Sequence, residues 1–292
     1  MAESLRDIKR QTQAVEKTKQ ITRAMNMVAA SKLKSAQTRM ENFRPYAGKV
    51  MDVLKSLSSQ MAFSSNPLLA VREPKKVRVI VMTSDKGLCG GFNTNVTKAA
   101  ELFIRNQKKD GKEVSVIAVG KKGRDYFRRK ETIAAHHIDV LSKFTMDLAV
   151  ELGNEVILPF EAEEYDELYI AYNEFRSIAS QKPKVVRLLP LESEDLDDVA
   201  GGSFGDYIYE PSDEALFAQL VPMYIKVQIF NGMLETSAGE HGARMVAMEN
   251  ASSSCEEMIE SLTLKFNKAR QAAITAELMD IVGGTEALAK SS

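Results

Sequence analysis

The segment with the most chemical potential is Ser-Asp-Lys-Gly-Leu-Cys-Gly-Gly-Phe-Asn at 84–93. Its three glycines can bare backbone N–H groups, and Lys86 can face an anion, so a phosphate cradle is conceivable. Neither GxxxxGK[ST] nor GxGxxG occurs there, and a tight strand-to-helix turn or a protein contact is the favoured reading. Cys89 could be an activated thiol near a helix N-terminus. No histidine lies nearby in sequence to act as its base, so a small packing residue is the simpler reading. His136 and His137 are neighbours in a strand candidate. Their side chains must point to opposite faces, which argues against a shared metal. Met25, Met27, Met245 and Met248 read as filler between helices before any ligand set. The basic N-terminal segment could touch nucleic acid or an anionic membrane. No aromatic residue precedes Phe43, so bases have nothing to stack on, and its apolar stripe suits a partner helix better.

The composition narrows the classes further. The chain has 292 residues, 44% hydrophobic and 27% charged, enough for a packed core. Lys and Arg number 39 against 40 Asp and Glu, which speaks against a general polyanion binder. Two distant cysteines exclude a disulfide framework and suggest a reducing compartment. No apolar run approaches the roughly 18–20 residues of a membrane span. The opening MAESLRDIKR lacks the apolar block of a secretory signal. These features lead us to expect a soluble protein on the cytoplasmic side.

All eight prolines fall between residues 45 and 222, so two breaker-poor ends flank a breaker-rich middle. Ser4 with Asp7 three residues on resembles a capping box with the shorter acid. Apolar residues including Leu5, Ile8, Val15, Ile21, Met25, Val28, Leu33 and Met40 follow at helical spacing. A helix over 4–58 would be about 80 Å long. At the other end, steps of three and four from Met245 reach Met248, Ser252, Cys255, Ile259, Leu262, Phe266, Ala269, Ala273 and Ala276. That is a coiled-coil seam with one polar exception, and Gly283-Gly284 reads as its stop.

Charge supports pairing of the ends: residues 1–44 carry net +6 and residues 223–292 net −3. Both helices leaving one domain make an antiparallel pair, with the end of the C-terminal arm projecting alone by about 15–30 Å. Between them, strand candidates at 77–83, 113–119, 133–139, 167–173 and 184–191 alternate with helical stretches. This predicts an α/β fold with a mostly parallel, Rossmann-like sheet. The expected organisation is an N-terminal coiled-coil helix at 1–60, an α/β domain at 75–192, an acidic loop at 193–214 and a C-terminal coiled-coil helix at 215–292. Nine acids and no Lys or Arg over 192–214 mark the loop.

Five stretches carry a resemblance: TKQITRAMNMVAASKLKSAQ (18–37), SDKGLCGGFN (84–93), DYIYEP (206–211), ARMVAMENA (243–251) and NKARQAAITAELMDIVGG (267–284). In that order, over nearly the whole chain, the sequence resembles the gamma-subunit family of F-type ATP synthases. The departures are Ser252-Ser253-Ser254-Cys255, where members commonly have Thr-Asp-Asn and a small residue, and Phe266, where Tyr is frequent. The regulatory cysteine pair of the chloroplast type is missing, which points to a bacterial form.

The resemblance implies a central rotor shaft: a coiled coil inside a ring of alpha and beta subunits, coupling proton flow to ATP synthesis or hydrolysis and regulating both. It implies no catalytic residue, metal or cofactor on this chain, with ATP, ADP and Mg held by partner subunits. Met25, Lys86, Cys89, Arg244, Arg270, Gln271, Thr275 and Glu277 would contact beta subunits. Tyr207, Tyr209 and Glu210 would touch the membrane c-subunit ring and the epsilon subunit. Ile8, Val15, Val28, Leu33, Met245, Met248, Cys255, Ile259, Leu262 and Phe266 would form the seam. The chain would sit peripherally on the cytoplasmic face of the bacterial inner membrane, with no nucleic-acid partner. A phosphate-handling α/β enzyme and a nucleic-acid adaptor remain the competing readings from residue chemistry.

Overall fold

The computed structural model describes residues 4–58, 67–191 and 213–291. Contacts divide the chain into two units, one of 1–28 with 246–292 and one of 29–245. The elements run α1 (Leu5–Ser58), a 3-10 turn (Pro67–Leu69), β1 (Lys76–Met82), α2 (Phe92–Lys109), β2 (Glu113–Val119), α3 (Lys121–Phe127), β3 (Thr132–His137), α4 (Met146–Glu161), β4 (Glu167–Ser177), β5 (Ser180–Leu189) and α5 (Asp213–Ser291). The fold is α/β, with long helices at both ends and a five-stranded, mostly parallel sheet.

In the first unit, α1 starts on the expected cap. The Asp7 amide donates to Ser4 Oγ at 3.3 Å, and the Ser4 hydroxyl donates to the Asp7 carboxylate at 2.9 Å. Residues 5–28 pair with α5 in antiparallel sense. Lys19 meets Glu256 at 2.7 Å, Thr22 meets Ser252 at 2.7 Å, and Asn26 donates to Glu249 at 3.0 Å. Ser252, the polar exception in the seam, therefore faces a buried hydroxyl that needs a partner. Ile8, Met248 and Leu262 are buried, while Val15, Cys255, Ile259 and Phe266 are half-buried, so this seam is shallow.

By the same progression Leu5 falls opposite about residue 270. All positions from Arg270 to Thr285 are exposed, about 22 Å of helix. Three sequence expectations are corrected here. Ala273 and Ala276 are exposed, because α1 begins too late to cover them. Val28 is 58% exposed, because the buried line on α1 runs through Thr22, Ala29, Leu33, Ala36 and Met40, about 100° away from it. Gly283-Gly284 does not stop the helix, which continues to Ser291; glycine weakens an exposed helix by only about 1 kcal/mol per residue.

In the second unit the sheet order is β3-β2-β1-β4-β5. β1 pairs in parallel with β2 and β4, and β2 with β3; β4 and β5 form an antiparallel hairpin. The hairpin was not evident in the sequence, where 174–183 reads as polar; Pro183 fits because β5 is an edge strand. α2 and α3 cover one face through Val96, Ala100, Ile104 and Phe127. α4, α1 and α5 cover the other through Leu152, Phe160, Leu54, Val221 and Met233. Leu33 and Ala36 meet Ala238, with Met245 packed against them.

The carboxyl end of the sheet is tightly closed. Gly120 has φ +97°, and a Cβ on it would lie 2.0 Å from the Thr83 carbonyl oxygen. Thr83 Oγ1 accepts the Gly123 amide at 2.7 Å, and the Gly120 amide reaches the His137 carbonyl at 2.7 Å. Gly120→Ala should lower folding stability by at least about 2 kcal/mol, through strain and a backbone clash. Urea unfolding of the full chain checks this; an unchanged midpoint would contradict it.

Candidate functional site

Strand order 3-2-1-4 puts a switch point between β1 and β4. Crossovers leave for opposite faces there, which is where open α/β sheets commonly bind ligands. The 84–93 segment lies at the carboxyl end of β1, as the sequence suggests, and its Ser84, Asp85 and Asn93 side chains are turned to internal partners. Asn93 Oδ1 accepts the Ser84 amide at 2.9 Å. The Ser84 hydroxyl donates to the Lys86 carbonyl at 2.6 Å. Asp85 Oδ1 accepts the Lys121 and Asp139 amides at 2.9 and 3.0 Å, tying the loop to the ends of β2 and β3.

The crevice itself is occupied by α5. Gly232 lies against Met82 and Ile170, and a Cβ on Gly239 would approach the Phe92 ring to 2.8 Å. Asn173 Nδ2 donates to the Phe92 carbonyl at 3.0 Å, and Glu235 accepts the Phe175 amide at 2.7 Å. Arg244 Nη2 donates to the Gly87 carbonyl at 3.1 Å and to Glu240 Oε1 at 2.7 Å. A nucleotide in this crevice would have to displace the chain's own helix.

What the loop offers outward is one cationic and one apolar side chain. Lys86 is exposed, and Leu88 is 65% exposed with φ +60°, an uncommon conformation for a branched side chain. Cys89 is buried, its sulfur 3.3 Å from Asn93 Nδ2, and burial pushes its thiol above the ordinary range. Burial opposes thiolate formation, so the packing reading of Cys89 fits the geometry better than an activated nucleophile.

The other positions singled out in the sequence are scattered. Arg270, Gln271, Thr275 and Glu277 lie on the exposed stretch of α5, where the Thr275 hydroxyl returns to the Gln271 carbonyl at 2.9 Å. Met25 is half-buried in the first unit. Arg244 is turned inward, its side chain only 11% exposed. Tyr207, Tyr209 and Glu210 lie outside the described residues. His137 contacts Glu155 at 2.7 Å while His136 is exposed on the alternate face. A cleft of about 540 Å³ opens at the opposite end of the sheet, where Arg78, Lys108 and Lys112 pair with Glu164, Glu131 and Glu167. Among the described residues, no group of three His, Cys, Asp or Glu could hold a metal, and no helix is long and apolar enough to cross a membrane.

Sequence reasoning missed Glu240 and His241. Nothing in a helical stretch marks which polar residues will be folded against a distant loop. Burial pushes the Glu240 carboxyl up against the opposing pull of Arg244. Burial, then the Arg244 and Lys32 charges, lower His241 from 6.5 to about 4. The folded chain thus holds His241 neutral where the unfolded chain protonates it. Its contribution is intact above pH 6.5 and is lost as pH falls from 6.5 towards 4. His241→Asn should remove part of that acid sensitivity, on the order of 2 kcal/mol once solvent screening is allowed for. Urea midpoints of both proteins at pH 7 and pH 4.5 measure it; parallel losses would contradict the assignment.

Comparison with known proteins gives the family. A family model described as ATP synthase matches residues 4–288. The ATP synthase gamma chain of Syntrophus aciditrophicus is 59% identical over 288 residues, 98% of this chain and 99% of that protein. The gamma chain of Maridesulfovibrio salexigens is 48% identical over 292 residues, with 98% and 99% covered. Among solved structures, a chain of the central stalk and c-ring of the Tetrahymena thermophila mitochondrial ATP synthase aligns with TM-score 0.62 and 28% identity, over 80% of this chain and 99% of that one. A chain from the Euglena gracilis mitochondrial enzyme shares the fold with TM-score 0.66 at 20% identity, covering 97% and 94%. On these matches, the chain belongs to the ATP synthase gamma chain family.

Proposed function

We propose that this chain is the central rotor shaft of a bacterial ATP synthase, coupling proton flow to ATP synthesis or hydrolysis in a ring of alpha and beta subunits. The observation that carries this reading is the unpaired end of α5. Ile274, Leu278, Ile281 and Val282 are all at least half exposed and recur at i, i+4, i+7 and i+8, an apolar stripe on a lone helix. A stripe of that kind belongs against another protein, and the family supplies the ring.

Coupling requires unequal contacts. A shaft that met three sites identically would bias none of them. In the paired region Arg6, Lys9, Arg10, Lys17 and Arg23 are exposed on α1, while Glu249, Glu257 and Glu260 are exposed on α5. Asp7 and Glu16 on α1 and Lys265 and Lys268 on α5 are exposed as well, so the excess is positive on one helix and negative on the other, and surrounding subunits meet an uneven charge as the shaft turns. Met25, Lys86, Arg270, Gln271, Thr275 and Glu277 are the proposed contacts with beta subunits. Tyr207, Tyr209 and Glu210 are the proposed foot on the c-ring and epsilon. Nucleotide and Mg would reside on partner subunits. The chain itself would be non-catalytic and peripheral on the cytoplasmic face of the inner membrane.

Two measurements test this. Affinity-tagged chain expressed with its neighbours should recover an ATP-hydrolysing alpha–beta ring, and purified chain alone should show no tight ATP binding by calorimetry. Leu278→Asp should fold normally, because the residue is exposed, yet lower proton-driven ATP synthesis of the assembled complex several-fold. Recovery of no ring, or unchanged synthesis, would contradict the assignment.

A further inference from the structure

Arg244 and Glu240 have been placed at the switch-point crevice without a role. Their side chains are 11% and 10% exposed, and their charges meet at 2.7 Å on successive turns of α5. The guanidinium has a second partner, the Gly87 carbonyl at 3.1 Å, and a third contact with His241 Nδ1 at 3.5 Å. The carboxylate balances a cation that could not otherwise stay buried, and the same Nη2 that meets it also donates to the loop carbonyl. Gly239, one turn before, is already seated on Phe92 beyond the other end of that loop.

The loop is restrained on both sides of its apex. Gly87 is held through its carbonyl by α5. Cys89 is sunk into the domain, its sulfur against Asn93. Between them Leu88 keeps φ +60° with its side chain outside. A branched residue persists in that conformation only where its surroundings over-determine it. Asp85 fixes the other approach to β2 and β3 through the Lys121 and Asp139 amides.

We infer that Arg244 and Glu240 are positioning residues: the guanidinium, charge-balanced by Glu240, locks the 85–90 loop to α5 so that helix and loop apex move as one body. The inference rests on the shaft reading for its purpose, since a loop that slips relative to the helix would absorb displacement that should reach a neighbouring subunit. It assigns Arg244 an internal task in place of the direct partner contact that the family resemblance implies.

Cys89 reports the latch directly, because it lies behind the loop and its buried, protonated thiol reacts slowly while the loop is closed. In full-length protein carrying Cys255→Ser, Arg244→Met should speed Cys89 labelling by a small aromatic disulfide reagent at least about tenfold. Circular dichroism and the urea midpoint show whether the fold survives. Glu240→Gln should give a smaller rise, and Arg244→Lys, which keeps the charge but lacks the planar fork that spans both partners, an intermediate one. In the assembled complex, Arg244→Met should lower ATP synthesis relative to ATP hydrolysis. Labelling at the wild-type rate in a folded Arg244→Met protein would overturn the latch. Faster labelling with an unchanged ratio of synthesis to hydrolysis would overturn its part in transmission. Failure of the wild-type chain to assemble with a ring would instead sink the shaft reading.

Discussion

One helix lying across the carboxyl end of a parallel sheet governs the second unit. Strand order 3-2-1-4 necessarily opens a crevice where the crossovers diverge, and such crevices are the usual ligand sites of this architecture. In this chain Gly232, Gly239 and Arg244 of α5 approach Met82, Phe92 and Gly87 instead. The absence of side chains at Gly232 and Gly239 lets the helix backbone come close enough to fill the space. The sheet becomes a seat for a helix: the Ser84 amide and hydroxyl are spent inside the loop on Asn93 and the Lys86 carbonyl, and the Gly87 carbonyl accepts from Arg244 of the helix.

The first unit solves a different problem. A two-helix pair buries little apolar surface, and here much of the seam is only half-covered. Register must come from directional contacts as well as packing. Thr22 with Ser252, Asn26 with Glu249 and Lys19 with Glu256 supply it at three successive levels. Exposed ion pairs add little stability, but opposite charge on the two helices disfavours other alignments. A hydroxyl in an otherwise apolar seam costs stability and narrows the choice of partner position, as a single polar core residue does in other coiled coils.

The same economy appears at the free end of α5. The helix continues past its partner although no described residue of the unit covers Ile274, Leu278 or Ile281. Two glycines in succession weaken it without ending it. On the proposed shaft reading a larger assembly would cover this apolar stretch, which is why family membership and the lone tip point the same way.

The sequence by itself determined the long helices, the alternation of strands and helices, and the antiparallel pairing of the ends. Each follows from local periodicity, breakers and net charge, which neighbouring residues carry. It also exposed Ser252 as an oddity and the 84–93 loop as a turn with chemical capacity. It did not place Val28 outside the seam, because two adjacent apolar residues, Val28 and Ala29, fit the drifting period equally well. It did not show the β4–β5 hairpin, whose strands are polar on an edge. Nor could it pair Arg244 with Gly87, 157 positions away, or make Glu240 a buried and His241 a half-buried group. Those depend on which helix is laid over which end of the sheet, and no local pattern encodes a contact whose two halves meet only when the whole chain has folded.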